Sequence, residues 1–398
     1  MAVAPFAPLV NTLVKPKILE IDKIMKLYLL IEAMMGVDRL VLCEDLHKYM
    51  KYCLRIFALL LNISVIVVSV LYPCLQTAYT MILVFCIAHY HLYAVIALIY
   101  KSDLRRFLVV LQKFDKLYPE IDLKKLQRYG KKYFRVVALL FIFFGCNVLA
   151  YLVPVYYLRR WQINDLLLQV LPFQFINIVE SMLCTHLLKL LSQRIDLIVN
   201  ALEELNMEQK DEGISVIESN DTQSLNGKYN LSMGRIKDSY KIIVEATELV
   251  QTVVKCQIIA MLVLQFVPAL MTWYLNVAVI ISNVDGWWLI VLCSSCIALM
   301  MLYFQTTPCL VSDQINAKVE KITASLAQLL CSAHLDKKER LSTRTFLSYV
   351  EQHDLRFRLL RVADVGVSLP LQYVTLLVTY LIIMLQFGKL IDQHLYTT

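Results

Sequence analysis

Charge is what this sequence has least of: only 18% of its 398 residues are Asp, Glu, Lys or Arg, against about 25% in an ordinary soluble domain. With 59% hydrophobic residues, that deficit excludes a disordered chain and argues against a soluble enzyme. Nine glycines leave little material for phosphate-cradling loops or collagen-like repeats, and eleven cysteines are too dilute for a disulfide scaffold. Gly-x-Ser-x-Gly, Walker-type and His-Glu-x-x-His sequences are missing. Cys293-Ser-Ser-Cys296 has a redox-like spacing, yet it sits in an apolar run with no second pair. His89, His91 and His186 have no clear fourth ligand. We therefore expect no enzyme, no metal site and no cofactor.

What the chain does have is long apolar runs. A hydrocarbon core about 30 Å thick needs about 20 apolar helical residues. Seven runs qualify: 56–75, 78–100, 136–158, 166–188, 256–279, 287–307 and 367–387. Glu180 is the one formal charge inside any of them. The stretch 27–43 is partly apolar but carries Glu32, Asp38 and Arg39, so it reads as an interfacial or cytosolic helix. Residues 1–16 show no basic region ahead of their apolar residues, so no cleaved signal peptide is expected.

The charges set the orientation. Of the 39 Lys and Arg residues, 35 fall in segments 1–55, 101–135, 189–252 and 307–366, and three fall in the alternate connections. By the positive-inside rule the N-terminus is cytoplasmic and the C-terminus extracellular. The net charge of +7 then belongs to the inner membrane face, and nucleic acid is not an expected partner. A G-protein-coupled receptor has the opposite orientation and is excluded; its Asp-Arg-Tyr and Asn-Pro-x-x-Tyr signatures are also missing from the third and seventh spans.

The inner connections are long and periodic. Leu104, Leu108, Leu111 and Phe114, and again Val319, Ile322, Leu326 and Leu329, recur at the three-and-four spacing of an apolar helical stripe. Such stripes fit packing within one subunit or between subunits. The polar stretch 206–230, with Gly213 and Gly227, reads as a mobile loop. The fold class expected is an all-α membrane protein whose seven spanning helices extend into a cytosolic anchor region.

In the last span Ser368, Gln372, Thr375, Thr379 and Gln386 fall at offsets of 0, 4, 7, 11 and 18 residues. At about 100° per residue all five lie within roughly 60°. Such a stripe serves either as hydrogen-bonding glue between helices or as the lining of a water-filled path. One helix cannot enclose a pore, but a cyclic assembly with one such helix per subunit can.

Residues Thr379-Tyr380-Leu381-Ile382-Ile383-Met384-Leu385-Gln386-Phe387 resemble the TYhhhhhQF signature (h, hydrophobic) of the seventh helix in insect gustatory receptors. Length, span number and orientation are similar to that family over the whole chain. The resemblance implies a tetrameric, ligand-gated, non-selective cation channel of the plasma membrane, homomeric or formed with related receptors, and opened by a small tastant. Gln386 and Phe387 would form its gate, with Thr379, Tyr380, Thr375 and Gln372 along the same pore helix. Tyr380 in the motif leans toward a bitter or plant compound rather than a sugar. A membrane transporter or a non-conducting seven-helix receptor is the alternative, although no internal repeat supports a transporter.

The resemblance also implies a ligand pocket opening outward among the second to sixth helices. Aromatic and polar candidates on the outer halves of the spans are Trp273, Tyr274, Gln174, Phe175, Asn177, Tyr79, Tyr156, Tyr157, Trp287 and Trp288. The interfacial aromatic belt is the simpler reading for Trp287, Trp288, Tyr156 and Tyr157. Glu180 lies about 21 Å from the outer end of its span, so it is expected to pair with another helix or to face an inner vestibule. The chain then divides into a cytoplasmic segment 1–55, spans one to six with the pocket (56–310), anchor helices (311–366) and the pore helix with a short external tail (367–398).

Overall fold

The computed structural model describes residues 23–34, 48–71, 77–117, 161–215, 222–281, 287–331, 337–353, 355–359 and 363–396, with isolated positions 37, 39, 42, 138, 142 and 145. The helices are α1 (Lys23–Met34), α2 (Lys48–Leu71), α3 (Thr77–Leu117), α4 (Trp161–Ser215), α5 (Thr222–Ile281), α6 (Trp287–Cys331), α7 (Lys337–Gln352) and α8 (Ser368–Tyr396). Between α7 and α8, strands β1 (Arg358–Leu359) and β2 (Ala363–Asp364) pair antiparallel, Arg358 opposite Asp364. Among the described residues three helical segments are long and apolar enough to cross a membrane: Ser232–Ile281, Ser294–Cys331 and Ser368–Phe387. The third expected span, 136–158, lies outside the described residues apart from isolated positions.

The long helices have two unlike halves. Their charged halves pack into a bundle whose core is built from rows spaced three and four apart: Leu191, Ile195, Ile198, Leu202 and Leu205 on α4, and Ile315, Ile322, Leu326 and Leu329 on α6. Leu104, Leu108, Leu111 and Phe114 of α3 and Val319 of α6 join the same cluster. The stripes seen in the sequence thus pack within one chain. Phe346 and Val350 of α7 close the core beneath, with Leu355, Phe357 and Val365 around the small strand pair. Arg194 forks onto Asp115, Nε and Nη2 donating to the two carboxylate oxygens at 3.1 and 2.8 Å, which fixes α4 against α3.

The segment 206–230 corrects the sequence reading. Helix α4 runs on to Ser215 and α5 starts at Thr222, so most of the expected mobile loop is helical; residues 216–221 lie outside the described residues. Its Glu, Gln, Lys and Met residues are good helix formers. Polarity alone was no sign of irregular backbone.

The apolar halves pack in smaller clusters, among them Tyr90, Tyr93, Ile96 and Met261, and Leu270, Tyr373 and Leu377, and leave much of their outer surface open. Ile56, Phe57, Leu59, Leu60, Val95, Leu98, Ile99, Val263, Leu292 and Leu299 are all exposed. Exposed apolar side chains in this number on spanning helices need lipid or another subunit against them.

Leu326 is fully buried and Leu341 of α7 is 66% exposed. Leu326→Ala should lower the unfolding free energy in detergent by about 2–5 kcal/mol. Leu341→Ala should change it by no more than about 0.5 kcal/mol. Thermal unfolding followed by size-exclusion fluorescence measures both.

Candidate functional site

Helix α8 presents two faces. Tyr373, Leu377, Leu381 and Met384, at intervals of four, four and three, pack with Leu262, Phe266, Ala269 and Leu270 of α5. Tyr373 and Tyr380 both set their rings edge-on to Phe266, with centroids 5.8 and 5.7 Å away. Gln372, Thr375, Thr379 and Gln386 are exposed, and Phe387 is 61% exposed. At about 100° per residue the polar stripe stands about 180° from the packed face. Thr375 Oγ1 donates to the Leu371 carbonyl and Thr379 Oγ1 to the Thr375 carbonyl, each at 2.9 Å. Both hydroxyl protons are therefore satisfied on their own helix, leaving oxygen lone pairs to face outward.

The foot of α8 is held by α6. Asp313 Oδ2 accepts a 2.7 Å hydrogen bond from the Val367 backbone N–H. This gives the N-terminal end of α8 a carboxylate partner where free N–H groups and the helix dipole favour one. A Cβ at Gly366 would collide with that same carboxylate, so only glycine permits the approach.

Behind the packed face lies a cavity of about 80 Å³ between α3, α4, α5, α6 and α8. Its lining includes His89, Asn177, Gln265, Pro268, Thr272, Trp273, Gln305, Tyr373 and Leu377. Pro268 interrupts the hydrogen-bond ladder of α5 here. The Gln305 side-chain amide donates to the Gln265 carbonyl oxygen. The cavity and the stripe share one helix, the cavity touching its inner side.

Beside the cavity sits a cluster of buried charge. After α1, Val37 N donates to Glu32 O (2.9 Å) and Leu42 N to Arg39 O (3.0 Å). Arg39 Nη1 then donates to Glu32 Oε2 at 2.8 Å and to the two oxygens of Glu180 at 3.0 and 3.1 Å. Gln257 of α5 also donates to Glu180 and accepts from the Cys184 thiol. Exposures are 2% for Arg39 and 0% for both carboxylates. One cation against two carboxylates leaves an excess negative charge, and burial pushes the Glu32 carboxyl up to about 8, the attraction of Arg39 offsetting only part of that rise.

This cluster corrects the reading of 27–43 as one interfacial or cytosolic helix. Helix α1 ends at Met34, and Glu32 and Arg39 are buried because they pair with each other and with Glu180. Glu180 pairs across elements, as its depth implied. His186 packs against the Tyr28 ring at 5.7 Å.

Of the ligand candidates read from sequence, Trp273 and Asn177 line the cavity. Tyr274 is half-buried on α5 and is not part of that lining, and Trp288 is 60% exposed on α6. The side chains of Tyr79, Gln174 and Phe175 and the whole of Tyr156 and Tyr157 lie outside the described residues. Sequence reading passed over Gln265, Gln305 and Tyr373, and took His89 only as a possible ligand for metal. Glutamines inside apolar runs next to Pro268 were the available signal, since buried amides demand partners.

The family model described as 7tm chemosensory receptor matches residues 45–391 of this chain. Among solved structures, the insect olfactory receptor OR5 from Machilis hrabei is similar in fold, with a TM-score of 0.54 at 13% identity, over 91% of this chain and 97% of that one. No curated protein sequence matches.

Removing one partner of a buried ion pair costs about 3–5 kcal/mol. Arg39→Met should therefore strip folded protein from the membrane fraction, whereas Glu32→Gln, which leaves one cation facing one anion, should fold. Because the folded Glu32 holds its proton to about 8 and the unfolded one releases it near 4.5, stability should fall as pH rises through that window. Glu32→Gln should flatten the fall. Thermal midpoints between pH 5 and 9 measure the slope.

Proposed function

Because the chain belongs to the 7tm chemosensory receptor family, we propose that it is a ligand-gated cation channel opened by a small molecule, with one α8 per subunit around a central axis. Seven spans, a cytoplasmic N-terminus and an external C-terminus complete the reading, with residues 1–55, 56–310, 311–366 and 367–398 as its four parts. The observation that carries it is the geometry of α8: its polar stripe faces away from its own subunit, and only 11% of its span is buried. Polar groups turned outward from a membrane subunit are costly against lipid. Around a four-fold axis they would instead meet one another and water.

In this assembly Gln372, Thr375, Thr379 and Gln386 line the path, and Phe387 closes it as an apolar ring that excludes water. Phe387 stands about 100° from Gln386 on the helix, so a rotation of α8 exchanges the two at the axis. Tyr380, lodged against Phe266, acts as a bearing for that rotation rather than as part of the lining. The ligand occupies the cavity behind α8 and acts on Tyr373 and Leu377. We assign it to taste, and to bitter or plant compounds rather than sugars, on the resemblance of residues 379–387 alone. A plasma-membrane receptor working as a tetramer, with itself or with related chains, follows from the same reading.

Cysteine substitution with a charged thiol reagent tests the arrangement. Expressed alone, Thr375→Cys and Thr379→Cys should let the reagent block agonist-evoked or basal current, over the wild-type background, while Leu377→Cys should be unaffected. Block at Leu377 without block at Thr375 would reverse the assignment of faces. Solute uptake with no current would favour a transporter.

A further inference from the structure

Helix α2 is little covered by its own subunit: among its described side chains only Ala58 is buried. Lys48, Tyr52, Arg55, Leu59 and Ile63 are all exposed, and at about 100° per residue they fall within roughly 80° of one another. The stripe changes character along its length. Its two cations come before the expected span that begins at Ile56, and its two apolar residues lie within it. Arg55 adjoins Ile56 and Lys48 stands about 12 Å along the helix from it, so both long side chains reach the headgroup layer that borders the hydrocarbon.

Helix α3 repeats the pattern in the opposite chain direction. Val95, Leu98 and Ile99 are exposed within its span, and Arg105 and Arg106 are exposed just beyond it. These five fall within roughly 120°. The exposed faces of both helices therefore turn from apolar to basic at one edge of the membrane. No Asp or Glu occurs between positions 46 and 102, and Asp103 after them is half-buried. A surface of this sign at this depth attracts anionic headgroups. Tyr52, between the two cations of α2, adds an amphipathic ring of the kind that settles at that level.

We propose that the outward stripe of α2 holds an anionic phospholipid of the leaflet on the Lys48 side, the cytoplasmic leaflet in the orientation proposed above. Its charged headgroup lies between Lys48 and Arg55, and an acyl chain runs along the same face over Leu59 and Ile63. Arg105 and Arg106 of α3 carry the basic surface on at the same level. A free anion would meet the cations and leave Leu59 and Ile63 bare, so the stripe as a whole fits a lipid. This inference rests on the proposed spans and names what their inner edge binds.

Native mass spectrometry of the full chain, released from nanodiscs holding equal amounts of phosphatidylserine and phosphatidylcholine, counts the lipid retained. Phosphatidylserine should be retained in excess. Lys48→Gln combined with Arg55→Gln should reduce that excess about fivefold for each cation removed, and Arg55→Lys should keep it. Arg344→Gln should leave it unchanged, because α7 follows Cys331, about 36 Å along α6 from the inner end of its expected span at 307. These three positions are exposed, so the variants should fold. Equal retention of the two lipids overturns the proposal, as does an excess that survives the double substitution. Displacement by free glycerophosphoserine at the lipid's own concentration overturns it too. So does oxidative cross-linking of Tyr52→Cys between copies above the wild-type level, which would show a second copy on this face. Retention is read without current. A chain that holds phosphatidylserine in this way and conducts nothing loses only the channel reading, and a conducting chain without the lipid preference loses only this one.

Discussion

A single guanidinium ties the beginning of the chain to its centre. Arg39 is buried to 2% exposure, and a cation so placed without partners would cost several kcal/mol after relaxation. Glu32 and Glu180 make its burial possible, and Arg39 in turn offsets part of what burial of the carboxylates costs. Drawing α1 away from α4 would leave charges on both sides uncompensated, so the two elements stay together whatever surrounds them. The reach of the cluster is wider than one contact. Gln257 brings in α5 through Glu180, and Ser181, the next residue of α4, donates to the Phe304 carbonyl of α6. Asn177 stands one turn before Glu180 on the same helix. The constraint that admits Arg39 thus also fixes three of the helices that wall the cavity.

The bond from Ser181 shows how the apolar halves tolerate irregularity. Pro308 in α6 has no N–H to give the carbonyl four residues earlier, which belongs to Phe304. Ser181 and Thr307 hydroxyls supply the missing donors. Freed backbone groups in spanning helices are satisfied by neighbouring hydroxyls in this way. In the charged halves the physics is that of a soluble bundle: rows at three-and-four spacing, a closed core and peripheral ion pairs such as Lys318 with Asp196 at 2.6 Å. A chain working in two solvents has its tight packing where water drives it and its polar exceptions where water is scarce.

Much of this was legible because it is periodic or local. The hydropathy runs located the apolar halves, and the spacing of Leu104 to Phe114 and of Val319 to Leu329 located the bundle core. The stripe on α8 could be drawn from sequence; the direction it faces could not, because that depends on which side Tyr373 and Leu377 turn to α5. Arg39 and Glu180 are 141 residues apart, and no local pattern links them. Arg39 looked interfacial because its neutralising partner is contributed by another helix. Of the residues named for a pocket on the outer halves of the spans, Trp273 and Asn177 line the cavity beside Pro268; with them stand glutamines that hydropathy averaging treats as minor blemishes in apolar runs. Polarity misled once more at 206–215, where the backbone is helical.

Helix α8 joins these parts, because its two faces cannot move independently. Tyr373 and Leu377 look into the cavity while Thr375 and Thr379 look the other way, and a helix is too stiff to shift one side without the other. Its two ends are held unequally. At the foot, Asp313 binds the Val367 N–H and fills the space a side chain at Gly366 would need. Toward the other end the contacts of the described residues include Leu381, Met384 and the ring of Tyr380 on Phe266, apolar and without fixed direction. Hydrogen bonds resist rotation about the helix axis and apolar contacts permit sliding, so displacement begun at the cavity grows with distance from the foot. In the proposed assembly that growth is greatest where Gln386 and Phe387 stand. The cavity lies nearer the pinned end than the gate does, so a small shift there becomes a larger one at the constriction.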